Sequence, residues 1–191
     1  GYLVARIGAS PHGQGLGTTL AQIIADETGI PPERIRVVHG DTDQTPYGWG
    51  TFASRSLVIA GGACKMAAAG LGEQMRRVAA GILEAAGEDI ELVDGIARVK
   101  GTDRSVALAT VARHAHFQSH LRAPGTQPGL RESATYDPDG TFSNAVHAAI
   151  VEVDIETGGV KIERFLVVED AGVLINPMIV DGQVHGDVTQ G

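Results

Sequence analysis

Residues 3–39, LVARIGASPHGQGLGTTLAQIIADETGIPPERIRVVH, decide the fold. The apolar run Leu3–Ala9 reads as a strand, broken at Ser10-Pro11. Leu20, Ile23 and Ile24 fall at helical spacing, so Thr18–Thr28 reads as a helix closed by TGIPPE, and Ile35–His39 is a short β-branched strand. The turn inside this unit, HGQGLGTT at 12–19, places three glycines in five positions just ahead of the helix. Such a turn leaves free backbone N–H groups at a helix N-terminus, where the dipole also favours an anion, above all a phosphate. It carries neither the lysine of the phosphate loop nor the spacing of the dinucleotide fingerprint. Gln14 has both donors and an acceptor on its carboxamide, so it can read the edge of a heterocycle. The same residues also fit a glycine-rich turn with a solvated glutamine.

Beyond His39, the turn-rich GDTDQTPYGWG (40–50) leads into TFASRS (51–56). Arg55–Ala86 reads as one long alanine-rich helix with an interruption at Gly61-Gly62. DIELVDGIARVKG (89–101) predicts a hairpin around Asp94-Gly95, Val106–His114 a short helix, and LRAPGTQPGL (121–130) a loop. Strands are expected at Arg131–Asp137, Asn144–Asp154 and Gly159–Glu169, and a helix over Ile179–Gly191 after Asn176-Pro177. The expected fold class is α+β (mixed α/β), with subregions 1–86 and 131–191 joined by a variable segment, 87–130.

Composition narrows the function. At 191 residues, 43% hydrophobic and 20% charged, the chain suits a soluble domain with a real core. A net charge of −8 argues against nucleic acid as the main partner. The lone Cys64 excludes an internal disulfide framework and a cysteine-ligated zinc or iron–sulfur site within these residues, and reads as a packing residue of an apolar helix. No apolar run reaches the roughly 18 residues that span a bilayer. Of His114, His116 and His120, only the last two share a helical face, and no carboxylate stands near, so no metal ligand is assigned. The chain starts at Gly1 directly in an apolar stretch and stops at Gly191 inside a helical pattern, which leads us to expect a piece of a longer polypeptide.

Two further stretches bear on a ligand. Thr51, Ser54 and Ser56 stand at the approach to the long helix and its first residues, where a hydroxyl is first of all a cap. Three within six positions, beside Gly48 and Gly50, exceed a cap and suit a phosphate or a polar ring; Arg55 adds charge or is a surface residue. In DAGVLINPMIVDGQVHGDVTQG (170–191), Gln183 follows a glycine as Gln14 does, although a capped helix with polar decoration explains that stretch by itself.

Taken in order, GQGLGTTLAQIIAD (13–26), VVHGDTDQTPYGWGTFASRS (37–56) and VEVDIETGGVKIERFLVVEDAGVLINPMIVDGQVHG (151–186) resemble the molybdenum-binding large subunit of the xanthine dehydrogenase, aldehyde oxidase and carbon monoxide dehydrogenase family. The resemblance is weakest over 87–130. It implies a partial molybdopterin-binding domain over 1–191, within an oxidoreductase that hydroxylates a heterocycle or aldehyde with water-derived oxygen. The implied cofactor is molybdenum with molybdopterin, as the cytosine dinucleotide in bacterial members. Gly13, Gln14, Gly15, Thr51, Ser54, Ser56 and Gln183 would contact that cofactor, and Phe52 and Ala53 would face the substrate. Iron–sulfur clusters and FAD would sit on partner domains or subunits, giving a hetero-oligomer in the cytoplasm, or in the periplasm as in some relatives. The family's general base is a glutamate in a glycine-rich motif that would lie beyond Gly191, so no catalytic residue is assigned, and these residues alone are expected to be inactive and to hold the cofactor poorly. Asp187 stands where members commonly carry glycine. The competing reading is a non-catalytic binding or assembly module of the same fold.

Overall fold

A computed structural model describes residues 1–118 and 128–190. His120 and residues 121–127 of the expected loop lie outside the described residues. The chain divides into two compact units, Gly1–Pro138 and Asp139–Gly191.

In the first unit, β1 (Leu3–Arg6) and β2 (Ile35–Val38) pair in parallel, with Leu3 opposite Ile35 and Arg6 opposite Val38. Parallel neighbours need a crossover, and α1 (Leu16–Thr28) supplies it. Its apolar face buries Leu16, Leu20, Ala21, Ile23 and Ile24. The helix stops at Gly29, which turns left-handed (φ 64°) and donates its N–H to the Ala25 carbonyl at 2.8 Å. Only glycine fits there, because a Cβ would lie 2.4 Å from the Leu92 carbonyl carbon.

The expected long helix is present as α2 (Gly62–Leu83), entered through a π-helical turn at Leu57–Gly61. The expected interruption at Gly61-Gly62 is a widening and not a break, since both glycines keep right-handed helical angles. Crossing α1 closely explains a glycine further along: a Cβ at Gly72 would come 2.8 Å from the Glu27 carbonyl oxygen.

The predicted hairpin forms between β3 (Ile90–Val93) and β4 (Ile96–Val99), with Asp94 and Gly95 both left-handed as a tight two-residue turn requires. A third strand, β5 (Ser105–Ala107), joins β4. Val106 and Ala107, expected at the start of a helix, instead pair with Ala97 and Ile96, and α3 runs over Leu108–Phe117. Met75, Ala79 and Leu83 of α2 close on this meander and on Leu108 and Val111 of α3 to form the core.

Arg131–Asp137, expected as a strand, is not one. The segment lies along a helix, which offers no edge to pair with. Gln74 Nε2 donates to the Arg131 carbonyl at 3.0 Å and to the Glu132 carboxylate at 2.7 Å, and the Tyr136 ring lies over Gly62.

The second unit holds β6 (Asn144–Val153) and β7 (Val160–Asp170), an antiparallel pair running from Asn144 opposite Asp170 to Val153 opposite Val160, with an irregularity between Ile150 and Val151. Asp154 caps the connecting turn by accepting N–H bonds from Glu156 (2.9 Å) and Thr157 (3.2 Å). A helix, α4 (Pro177–Gln190), follows.

Candidate functional site

The two loops singled out in the sequence leave the carboxyl ends of the same parallel pair, one after β1 and one after β2. Open α/β sheets place their ligands in that position. The loops are joined by backbone contact at Gly8 and Gly48, where a Cβ on Gly48 would lie 1.9 Å from the Gly8 carbonyl oxygen. A relay of hydroxyls ties them further: Ser56 Oγ donates to Thr51 Oγ1 at 2.8 Å, and Thr51 Oγ1 donates to the Ser10 carbonyl. Thr51 and Ser56 therefore hold one loop against the other, and Ser56 is buried.

The turn at 13–15 is open backbone. Gly13 (φ 104°) and Gly15 (φ 70°) take positive angles, and nothing stands within 4 Å of where a Gly13 Cβ would be. α1 starts behind Gly15 with no side-chain cap, so the N–H groups of its first turn remain available to an anion. The Gln14 side-chain oxygen accepts the His12 N–H, which folds the carboxamide over the turn. Its Nε2 makes no hydrogen bond among the described residues.

At the tip of the second loop, Phe52, Ala53 and Ser54 are exposed. Ala53 (φ 51°) and Ser54 (φ 54°) are consecutive left-handed residues with side chains, a costly conformation. Arg55 follows them: its Nη1 donates to the Gly50 carbonyl at 3.0 Å and its guanidinium lies 4.9 Å from the Phe52 ring centre. No sequence signature announces that contact, because an arginine five residues after a glycine is ordinary.

The loop that carries Gly13, Gln14 and Gly15 is thus joined to the loop that carries Thr51, Ser54 and Ser56 through the Gly8–Gly48 and Thr51–Ser10 contacts, all within the first unit. Gln183 is exposed on α4 in the second unit. Asp187, also on α4, is exposed as well. Among the described residues no group of three His, Cys, Asp or Glu could hold a metal ion. His116 accepts the Leu130 N–H through Nε2 at 3.3 Å. Burial pushes the Cys64 thiol up to about 11, which keeps it protonated and unreactive.

The whole sequence, residues 1–191, matches the family described as molybdopterin cofactor-binding domain. It is 45% identical to the nicotine 6-hydroxylase large subunit of Paenarthrobacter nicotinovorans and 41% identical to the carbon monoxide dehydrogenase large chain of Hydrogenophaga pseudoflava, in each case over 100% of this chain and 24% of the relative. Its structure is similar to quinoline 2-oxidoreductase from Pseudomonas putida 86, with TM-score 0.85 and 42% identity over 93% of this chain and 23% of that one. The chain thus spans about a quarter of the length of the curated relatives it matches.

Proposed function

The chain belongs to the molybdopterin cofactor-binding domain family, and we propose that it supplies part of the cofactor cradle of a larger molybdenum-dependent hydroxylase. The observation that carries this reading is the seating of two glycine-lined loops against each other at the carboxyl ends of β1 and β2. The residues present suit a pterin bearing a phosphate or nucleotide. The uncapped start of α1 and the bare backbone at Gly13 suit a phosphate, and the Gln14 carboxamide suits a heterocycle edge. Ser54 adds an exposed hydroxyl, and Gln183 a second amide. When bound, the group supplies two-electron redox chemistry and activated water for oxidation of a heterocycle or aldehyde.

This chain's own work is binding and orientation. Gly13, Gln14, Gly15 and Ser54 meet the cofactor, Thr51 and Ser56 keep their loop in register, and Phe52 and Ala53 stand toward the substrate. The cofactor form is the cytosine dinucleotide. Iron–sulfur and flavin subunits complete a hetero-oligomer, in keeping with relatives named as a large chain, a large subunit and a subunit of a dehydrogenase complex. No helix of the described residues is long and apolar enough to cross a membrane. The proposed location is the cytoplasm.

The test is made on the intact complex. Gln14→Ala with Ser54→Ala is expected to lower molybdenum and released cytidine nucleotide per chain together. Full retention of both would overturn the cradle.

A further inference from the structure

The bend Gly50–Ser56 stores two consecutive left-handed residues, Ala53 and Ser54. Backbone of that kind persists only where its surroundings over-determine it. The Ser56–Thr51–Ser10 relay anchors the base of the bend. Among the described residues, one side chain bonds across the tip. Arg55 bonds the Gly50 carbonyl through Nη1 (3.0 Å), covers the Phe52 ring (4.9 Å), and closes the turn with its own N–H on the Phe52 carbonyl (3.2 Å). It makes no ion pair among the described residues, so its charge is not committed to a carboxylate.

We propose that Arg55 is the positioning residue of this bend, clamping Gly50 and Phe52 on the near side of the strained pair so that the exposed Ala53-Ser54 tip keeps its shape for the ligand. A planar guanidinium can donate in its plane while its face covers a ring, and an ammonium cannot do both. The inference rests on the cofactor-cradle reading and deepens it by naming what preorganises one wall. Arg55 acts through its neighbours and not by touching the ligand.

The experiment uses the complete enzyme carrying Arg55→Ala, Arg55→Lys, or Arg55→Ala combined with Ala53→Gly. Hydrogen exchange of peptides across residues 50–56 is read alongside molybdenum and nucleotide per chain. Arg55→Ala is expected to speed exchange in the bend about tenfold or more, as a locally opened segment does. It should also lower cofactor occupancy below about half, because the competent shape is then only fractionally populated. Arg55→Lys should behave like Arg55→Ala in both readouts. Ala53→Gly removes the Cβ conflict and should return part of the lost occupancy. Exchange within about twofold of wild type in Arg55→Ala would overturn the clamp. So would full occupancy in Arg55→Lys with no recovery from Ala53→Gly, the pattern of a charge acting on the ligand itself. Wild-type enzyme without molybdenum or nucleotide would sink the cradle instead, and the exchange measurement alone would then decide the clamp.

Discussion

In Gly1–Pro138 a core of apolar residues is covered: Leu20, Ala79, Ala97 and Val111 expose nothing. In Asp139–Gly191 equally apolar residues are bare, with Val146, Ile150, Val160, Ile162, Leu166 and Val168 each more than half exposed. The pairing register sets Val146, Ala148, Ile150, Leu166 and Val168 on one face of the hairpin, and Ala149, Val151, Val153, Val160, Ile162 and Phe165 on the other. Strands apolar on both faces are the kind that larger assemblies bury from two sides, and a two-stranded ribbon alone is marginal in water. The contrast teaches that the same β-branched vocabulary builds a closed core in one unit and surface in the other. The difference is how far helices cover it: α1 and α2 pack in the first unit, whereas in the second α4 faces only the end of β7 at Val167 and Glu169, and most of the hairpin is exposed.

The largest expected effect tests that contrast directly. Leu20→Ala should cost about 3 kcal/mol by leaving a cavity, whereas Ile162→Ala in this chain should cost under about 0.5 kcal/mol, as a surface change does. Urea unfolding measures both. Alkylation of Cys64, buried on α2, reads opening of the first unit alone. Equal costs would erase the distinction between the units. Next, Gly48→Ala should cost about 2 kcal/mol, since its Cβ would overlap the Gly8 carbonyl and force the two loops apart. A thermal midpoint unchanged from wild type would show that the loops are not seated on each other. Ser56→Ala removes one buried hydroxyl bond and should cost about 1 kcal/mol. Ser56→Cys, a poorer donor to Thr51, should fall between the two.

The smallest effect belongs to the second unit and depends on pH. Backbone N–H bonds from Glu156 and Thr157 hold the Asp154 carboxyl below the usual carboxylate range. A lowered folded pKa contributes stability that is full above the ordinary value and is lost as pH falls through the lowered one. Amide protection at the β6–β7 turn, taken relative to the intrinsic exchange rate at each pH, should therefore fall in acid while the amides of α1 stay protected. Asp154→Asn should flatten that response, and an unaltered acid profile would remove the cap from the account.

Much of this was legible in one dimension. Helical spacing located α1 and α2, Asp94-Gly95 marked its hairpin, and the stretches Asn144–Asp154 and Gly159–Glu169 read as the strands that form β6 and β7. The glycines at 13 and 15 also marked the turn ahead of α1. Other features were hidden because neighbours distant in sequence make them. Residues 131–137 alternate like a strand but lie on a helix, and β5 exists only because β4 offers it an edge. The hydroxyls of Thr51 and Ser56 looked equivalent to that of Ser54, and only contact with Ser10 separates the two that latch the loops from the one that remains exposed.

Local chemistry therefore determined the elements and the family, since periodicity, turn residues and ordered motifs are properties of neighbouring positions. Tertiary structure alone decided which side chains brace the loops and which stay exposed. The Gly8–Gly48 contact, the Ser56–Thr51–Ser10 relay and the Arg55 clamp all depend on where two loops meet, and hydrogen bonds and steric contact act across space over a few ångströms, whatever the separation along the chain.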